Sequence, residues 1–192
     1  MTVAQSDLFE LGRPGPAGLR YSPDFVSAVD ERALLEQFKM LMFKPFEFHG
    51  HLGNRRIASF GWRYDYGQRA VSSARPIPAF LLPLRARAAN FAGLPANQFE
   101  QLLVTHYPPG AGIGWHRDKA VFGEVIGVSF STPCALRFRR AAGNAWERYL
   151  LKAESRSIYL LQGPSRTEWE HSIPQVDAER YSVTFRRYPA PA

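Results

Sequence analysis

The feature that most constrains the fold of this chain is a succession of short apolar segments, separated by turns, that begins near residue 98. Breaks fall at Pro108-Pro109-Gly110, at Pro133 and at Gly163-Pro164. Many short strands at regular spacing are typical of a sandwich or a barrel. We therefore expect a mainly β fold with some α-helix (α+β), in the form of a double-stranded β-helix, or jelly roll. The predicted strands lie near residues 101–107, 124–130, 135–139, 147–153, 156–161, 167–172 and 180–187.

The N-terminal half has a different pattern and predicts supporting helices. One helix is expected from Asp30, as its N-cap, to Met42, because apolar residues recur there at helical spacing. A second helix is expected from about Pro78 to Ala92. Residues 1–20 are rich in glycine and proline and are expected to form a flexible arm. Residues 21–192 are expected to form one domain, with a supporting region at 30–97 and the jelly-roll core at 98–188.

Composition restricts the location and the partners of the chain. The single cysteine, Cys134, excludes an internal disulfide and fits a reducing cytoplasm. We expect neither a membrane span nor a signal peptide, because no suitable apolar run is present. The formal net charge is +7, which suits a polyanion such as nucleic acid but equally suits a well-solvated surface. We expect a cytoplasmic monomer.

Three residues are candidate metal ligands. His116 and Asp118 are separated by one residue, and in an extended chain that spacing directs both side chains to the same side. His171 is the best candidate for a third ligand, whereas His106 lies within an apolar strand and is expected in the core or in a wall. Two imidazoles and one carboxylate leave positions open for a chelating cosubstrate and O2, as in non-haem Fe(II) oxygenases. The same ligands would also bind zinc.

The last predicted strand favours iron over zinc. A guanidinium group binds a carboxylate through two parallel hydrogen bonds, so a polar face with two arginines suits a cavity for a dianionic acid. An edge strand with solvated arginines explains the same alternation equally well. Read with a period of two, one face carries Arg180, Ser182, Thr184 and Arg186, and the other carries Tyr181, Val183 and Phe185.

Four stretches of the chain, in this order, resemble the AlkB family of Fe(II)/2-oxoglutarate dioxygenases. The resemblance covers roughly Phe99 to Arg187 and is weaker between Arg55 and Tyr66. The most family-specific stretch is the last, an R-Y-x-x-T-F-R pattern. The four stretches are Thr105 to Gly110, His116 to Lys119, Gly163-Pro164-Ser165-Arg166 ahead of His171, and Arg180 to Arg186.

The resemblance implies a role for particular residues. His116, Asp118 and His171 would be the iron ligands and the catalytic residues. Better-known repair enzymes of the family carry asparagine where this chain has Thr105 and Ser182. The 2-oxoglutarate site would consist of Thr105, Tyr107, Arg180, Ser182 and Arg186.

The resemblance also implies an activity. Fe(II), 2-oxoglutarate and O2 would act together and release succinate and CO2, and repair members of the family remove an alkyl group from a DNA or RNA base as an aldehyde. The alternatives are hydroxylation of a tRNA base, and hydroxylation or demethylation of a protein or a small molecule. Ala120 stands where an acidic residue often contacts the target base, and Val121 to Glu124 resemble the branch that includes tRNA wobble-uridine hydroxylases. A jelly roll with a structural metal site is disfavoured by the complete ligand set.

The segment from Arg55 to Tyr66 interleaves aromatic residues with arginines. Enzymes that modify a base hold it extruded or single-stranded, and aromatic side chains stack on it. In the family a nucleotide lid occupies this part of the supporting region 30–97. Alternation on a strand that only builds core explains the aromatic residues equally well. The candidate substrate contacts are Trp62, Tyr64 and Tyr66, with Arg63 and Arg166 as helpers.

Overall fold

The computed structural model of the chain describes residues 15–48, 51–65, 70–73 and 75–188. Strands and helices are numbered separately in chain order, and short 3-10 turns of the described ranges lie at 79–81 and 96–98. The strands are β1 Leu19–Ser22, β2 Lys44–Phe48, β3 His51–Asp65, β4 Ala70–Ser73, β5 Gln101–Tyr107, β6 Ile113–His116, β7 Val125–Phe130, β8 Cys134–Ala142, β9 Ala145–Ala153, β10 Ile158–Leu161, β11 Glu170–Ile173 and β12 Arg180–Arg186. The helices are α1 Ala28–Lys39, α2 Leu82–Ala92 and α3 Pro164–Thr167.

The strands form two antiparallel sheets. In the large sheet the order is β1-β10-β7-β12-β5-β3-β2, with β4 paired to β3, and in the small sheet the order is β6-β11-β8-β9. Apolar side chains of the two sheets pack together, as Tyr107 and Val125 of the large sheet do with Phe138 and Ile173 of the small one. The predicted double-stranded β-helix is therefore confirmed.

The other face of the large sheet carries the main core and the helices. Phe38 of α1 and Leu84 of α2 pack against Val183 and Phe185 of β12 in one continuous cluster of buried side chains. Apolar residues of β12 thus face the helices, and its polar residues face the small sheet, because successive side chains of a strand alternate in direction. None of the helices in the described ranges is long and apolar enough to cross a membrane.

The helix α1 begins earlier than the sequence pattern predicts. Its N-cap is Ser27 and not Asp30, because the Ser27 hydroxyl accepts a hydrogen bond of 3.0 Å from the backbone N–H of Asp30. The helix also ends at Lys39, before the predicted Met42. The second helix agrees better with the prediction, since a 3-10 turn follows Pro78 and α2 then runs to Ala92.

Two strands extend across the boundaries of the expected organisation. The division into an arm and one domain stays a prediction, but Leu19 and Arg20 lie in β1 and pair with Leu161 and Leu160 of β10. The jelly-roll sheet also extends before residue 98, because β3 pairs with β5 over residues 56–61. Sheet pairing between distant segments decides both boundaries, and the local composition does not report it.

Two strands of the small sheet differ from the predicted pattern. The sequence does not predict β6, whose segment contains Gly112 and Gly114 and lacks a clear apolar alternation. The strand predicted at 167–172 begins only at Glu170, because residues 164–167 form α3. Proline at the first position of that helix is favourable, since its missing N–H would have no partner there.

The packing of Phe38 gives the first testable prediction. Its ring centroid lies 5.3 Å from that of Phe130 and 5.8 Å from that of Tyr181. We expect Phe38→Ala to lower the free energy of unfolding by about 3–5 kcal/mol, because it leaves a cavity in the core. Urea denaturation followed by circular dichroism measures this change. Met40→Ala, at a side chain that is 81% exposed, is the control and should change it by less than about 0.5 kcal/mol; equal effects would contradict the packing.

Candidate active site

Two histidines and one aspartate meet at one edge of the small sheet. The strands β6 and β11 are antiparallel, and their register places His116 opposite His171. The two ring centroids lie 4.3 Å apart. Asp118 follows β6, and its Oδ2 lies 3.7 Å from Nε2 of His171. Strand pairing therefore brings together the three predicted ligands, although His171 is far from the other two in the sequence.

The two imidazoles are in the form that binds a metal ion. Nδ1 of His116 lies 2.9 Å from the carbonyl oxygen of Gly114. Since a carbonyl only accepts, Nδ1 carries the proton and Nε2 keeps a lone pair. Burial lowers the pKa of His116 and lowers the pKa of His171 to about 4. Both rings are therefore neutral at neutral pH, as metal ligation requires.

Asp118 is ionised although it is buried. Burial by itself would raise the pKa of Asp118, but Arg186 and the other groups around this carboxyl together outweigh burial and hold this pKa well below its usual range. Arg186 Nε donates a hydrogen bond of 2.8 Å to Oδ1 of Asp118. Arg186 also donates from NH1 to Oε1 of Gln101, at 2.9 Å. One carboxylate oxygen is thus held by Arg186, and the other faces His171.

The three candidate ligands are neighbours, but they are not at coordination spacing. Across the described part of the chain, no three His, Cys, Asp or Glu side chains are placed so that they could hold a metal ion as they stand. Small side-chain rotations would change this spacing, since Nε2 of His171 and Oδ2 of Asp118 are 3.7 Å apart. Two neutral imidazoles and an ionised carboxylate fit the donor set of an Fe(II) site.

Arg180 is a buried cation with unused hydrogen-bond donors. It is 1% exposed, and its NH2 donates to Oγ of Ser129 at 2.9 Å. Its Nε and NH1 are buried without a hydrogen-bond partner. Its Cζ lies 4.8 Å from the centroid of the Tyr107 ring. Buried donors of this kind need an acceptor, and a carboxylate is the acceptor that matches a guanidinium best.

The register of β5 and β12 gathers the other predicted 2-oxoglutarate residues on the same face. Ser182 is paired with Thr105, and both side chains are buried. Since β12 lies between β7 and β5, the alternative of a solvated edge strand is excluded. Gln101 and Ser129 are not predicted from the sequence. Only the strand register identifies them, because it places Gln101 opposite Arg186 and Ser129 opposite Ser182.

A comparison with known families agrees with this geometry. The model of the 2OG-Fe(II) oxygenase superfamily matches residues 20–186. The chain belongs to this superfamily. Membership confirms the expected cofactors, which are Fe(II), 2-oxoglutarate and O2.

The relatives of this oxygenase confirm its AlkB-like character. The chain is 29% identical over 181 residues to the "Alkylated DNA repair protein ALKBH8 homolog" of Arabidopsis thaliana, covering 82% of this chain and 51% of the relative. It is 28% identical over 163 residues to the "tRNA (carboxymethyluridine(34)-5-O)-methyltransferase alkbh8" of Xenopus tropicalis, covering 82% and 25%. It is 29% identical over 152 residues to AlkB of Escherichia coli, covering 72% and 68%. The chain thus spans about half of the length of the Arabidopsis relative and about a quarter of the length of the Xenopus relative.

Solved structures support the fold of this oxygenase. The structure of OsALKBH1 is 16% identical, with a TM-score of 0.68 and coverage of 88% of this chain and 98% of that one. A prolyl-4-hydroxylase of Pseudomonas putida is 17% identical, with a TM-score of 0.60 and coverage of 90% and 94%. At these identities the likeness concerns the fold alone.

Arg166 of the oxygenase does not have the position predicted for a substrate contact. Its side chain is buried and donates to the carbonyl oxygens of Gly123 at 3.0 Å and Phe122 at 2.8 Å, and also to that of Lys119. These bonds use its donors to hold the loop that follows Asp118. The interpretation of Arg166 as a helper in substrate binding is therefore corrected, since it supports the loop of a candidate ligand.

The predicted lid contacts are described only in part. Trp62 lies beside α2, is 40% exposed, and lines a cavity of about 440 Å³ together with Leu82 and Arg85. Arg63 and Tyr64 lie on β3 where it pairs with β4. Tyr66 lies outside the described residues. The roles of these four residues stay predictions.

Arg180 gives the second testable prediction. Arg180→Met should raise the free energy of unfolding of the ligand-free chain by about 1 kcal/mol, because it removes buried donors that have no acceptor. The same variant should lose the stabilisation by 2-oxoglutarate, which for the unaltered chain is about 2.7 kcal/mol at one hundred times Kd. Urea denaturation with and without the acid measures both quantities. Arg148→Met, at an exposed arginine, is the control and should change neither. A destabilised variant that still responds to 2-oxoglutarate would contradict the assignment.

Proposed function

We propose that this chain is an Fe(II)- and 2-oxoglutarate-dependent dioxygenase that removes alkyl groups from bases of DNA or RNA. The observation that carries the proposal is the buried Arg180, whose two unpaired donors lie on the same sheet face as Arg186, the partner of Asp118. A diacid bound to Arg180 would lie between the sheets, on the side where the candidate ligands meet. Release of succinate from 2-oxoglutarate by the purified chain is the direct test.

Each residue of the site has a defined task in this proposal. His116, Asp118 and His171 would hold Fe(II), which supplies the redox chemistry with O2 in this superfamily. Arg180 would receive the carboxylate of 2-oxoglutarate that is remote from the metal. Arg186 keeps Asp118 ionised and holds one of its oxygens. Orientation of the two cosubstrates is thus the contribution of the protein.

The metal ligands give the third testable prediction. His116→Ala or Asp118→Ala should abolish release of succinate, and the fold should persist because neither side chain belongs to the two apolar clusters. Turnover is measured by succinate formation, and folding by circular dichroism. His106→Ala is the control. The ring of His106 stacks on Tyr181 and forms a hydrogen bond with Glu179, away from the candidate ligands. Turnover that persists in His116→Ala, or without iron, would refute the proposal.

The outer face of the small sheet supports a nucleic-acid substrate. We call it the Arg–Trp face and define it as Trp115, Arg137, Arg139, Trp146, Arg148 and Leu150. Arg139 Cζ lies 4.5 Å from the ring centroid of Trp115 and 4.2 Å from that of Trp146. Arg148 is paired opposite Arg139, and Leu150 opposite Arg137, so their side chains share this face.

The chemistry of the Arg–Trp face suits a single strand. Stacking on aromatic rings and contacts of cations with phosphates are the two interactions that hold single-stranded nucleic acid. Arg139 is neutralised by Glu170, at 2.6 Å, but Arg148 is exposed and makes no ion pair in the described ranges. Trp115 directly precedes His116 but points to the opposite face of β6. Since β6 is an edge strand of the small sheet, a strand bound on the Arg–Trp face would have to pass this edge to reach the candidate ligands. The net charge of +7 adds long-range attraction.

A second candidate is hydroxylation of an RNA base. It is supported by the name of the Xenopus relative, which acts on tRNA, and by Ala120, an exposed residue without a functional group. Succinate release with methylated DNA and RNA oligonucleotides, unmodified tRNA and a peptide panel separates the candidates. Stimulation by the methylated oligonucleotides supports dealkylation, and stimulation by tRNA alone supports hydroxylation. Stimulation by peptides alone would refute both.

The Arg–Trp face gives the fourth testable prediction. Trp146→Ala should weaken binding of a single-stranded oligonucleotide by about 1–3 kcal/mol through lost stacking. Arg148→Glu should weaken binding at low salt. It should also reduce the slope of log Kd against log salt concentration by about 1, the value expected for the loss of one phosphate contact. Fluorescence anisotropy measures both effects. Arg32→Glu, an equal change of charge on the exposed side of α1, is the control. If Arg32→Glu weakens binding as much as Arg148→Glu, net charge alone explains the affinity.

A further inference from the structure

A second tyrosine borders the space beside Arg180. Tyr159 lies on β10 and is paired in register with Gly127 of β7. Its ring lies directly over this glycine, because a Cβ atom added at Gly127 would be 2.2 Å from Cζ of Tyr159 and 2.4 Å from its Oη. Real Cβ atoms do not approach other atoms so closely. The position of the ring therefore requires glycine at 127.

The phenol of Tyr159 is on the face that carries the candidate 2-oxoglutarate residues. Gly127 is paired with Thr184 of β12, so Tyr159, Gly127 and Thr184 form one row across the large sheet. Thr184 shares its face with Arg180 by alternation. Tyr159 also interacts electrostatically with Arg180 and Tyr107. Two phenols, of Tyr107 and Tyr159, thus lie near one buried guanidinium.

The hydroxyl of Tyr159 is a free donor. Burial raises the pKa of Tyr159 far above its usual range, so the hydroxyl keeps its proton at physiological pH. No residue in the described part of the chain forms a hydrogen bond with it. The side chain keeps some accessible surface and packs against the apolar cluster between the two sheets.

We propose that Tyr159 is a further cosubstrate-binding residue, whose hydroxyl donates to the same carboxylate that Arg180 receives. This inference rests on the proposed function. A carboxylate offers about four acceptor sites, and the two unpaired nitrogens of Arg180 leave the others to neutral donors. Tyr159 supplies such a donor, and its ring forms a wall of the pocket. The pair Gly127–Tyr159 thereby favours a keto acid with a second carboxylate over one without it.

The test is the affinity of 2-oxoglutarate for the Mn(II)-loaded chain, measured by calorimetry without turnover. Tyr159→Phe keeps the ring and removes only the hydroxyl, so Kd should rise about 10-fold. The free energy of unfolding without ligand should not change, because the hydroxyl has no partner within the protein. Binding of 2-oxopentanoate, which has the same carbon chain without the second carboxylate, should not change either. An effect on both acids alike would indicate a structural role and overturn the proposal.

Tyr181→Phe is the matched control. Tyr181 is the neighbour of Arg180 on the opposite face of β12, and its hydroxyl lies 3.4 Å from Oε1 of Glu179. The Tyr181→Phe variant should leave the Kd of 2-oxoglutarate unchanged. If Tyr159→Phe binds as tightly as the unaltered chain while Arg180→Met does not bind, the role of Tyr159 is refuted and the cosubstrate site stands. If the unaltered chain itself fails to bind 2-oxoglutarate, the proposed function falls as well.

Discussion

The burial of two guanidinium groups on one face of β12 is the constraint on which the rest of the site depends. Arg186 is balanced by the ionised Asp118, whereas Arg180 has no carboxylate partner among the described residues, and its NH2 donates to a serine hydroxyl. A buried cation without a counterion destabilises a fold. The opposite face of the same strand offsets this cost, because Val183 and Phe185 lie in the main apolar core. The core thus holds in place a buried charge that has no counterion among the described residues.

The same arrangement explains why the fold does not determine the substrate. A prolyl-4-hydroxylase and an AlkB-like protein both share this architecture at less than 20% identity. Their common features are the sheets that surround the site, and fold and substrate are separable in this way. Evidence about the substrate must therefore come from surfaces that are particular to this chain. The proposals above rest on two such features, the Arg–Trp face for a polymer substrate and the side chain of Tyr159 for the cosubstrate.

Several parts of the structure could be predicted from the sequence, and the failures have a physical pattern. The strand at 101–107 agrees with β5, and the last strand is within one residue of β12. The first is a short apolar run that ends at a turn, and the second alternates clearly between polar and apolar residues. The strand β6 was not predicted, since its glycines conceal the alternation, although it carries His116. Arg166 is predicted from the sequence to help in substrate binding. It is in fact buried, with its donors used by three backbone carbonyls.

The sequence by itself determined the chemical types that the site contains: two histidines, an aspartate and two arginines on one side of an alternating strand. Alternation is a local property of the backbone, so it can be read without knowledge of the neighbours. Only the tertiary structure decided which face of β12 is enclosed, and that His116 lies opposite His171. It also decided that Tyr159 lies over Gly127. These relations depend on pairing between strands that are distant in the sequence, and local patterns carry no information about that pairing.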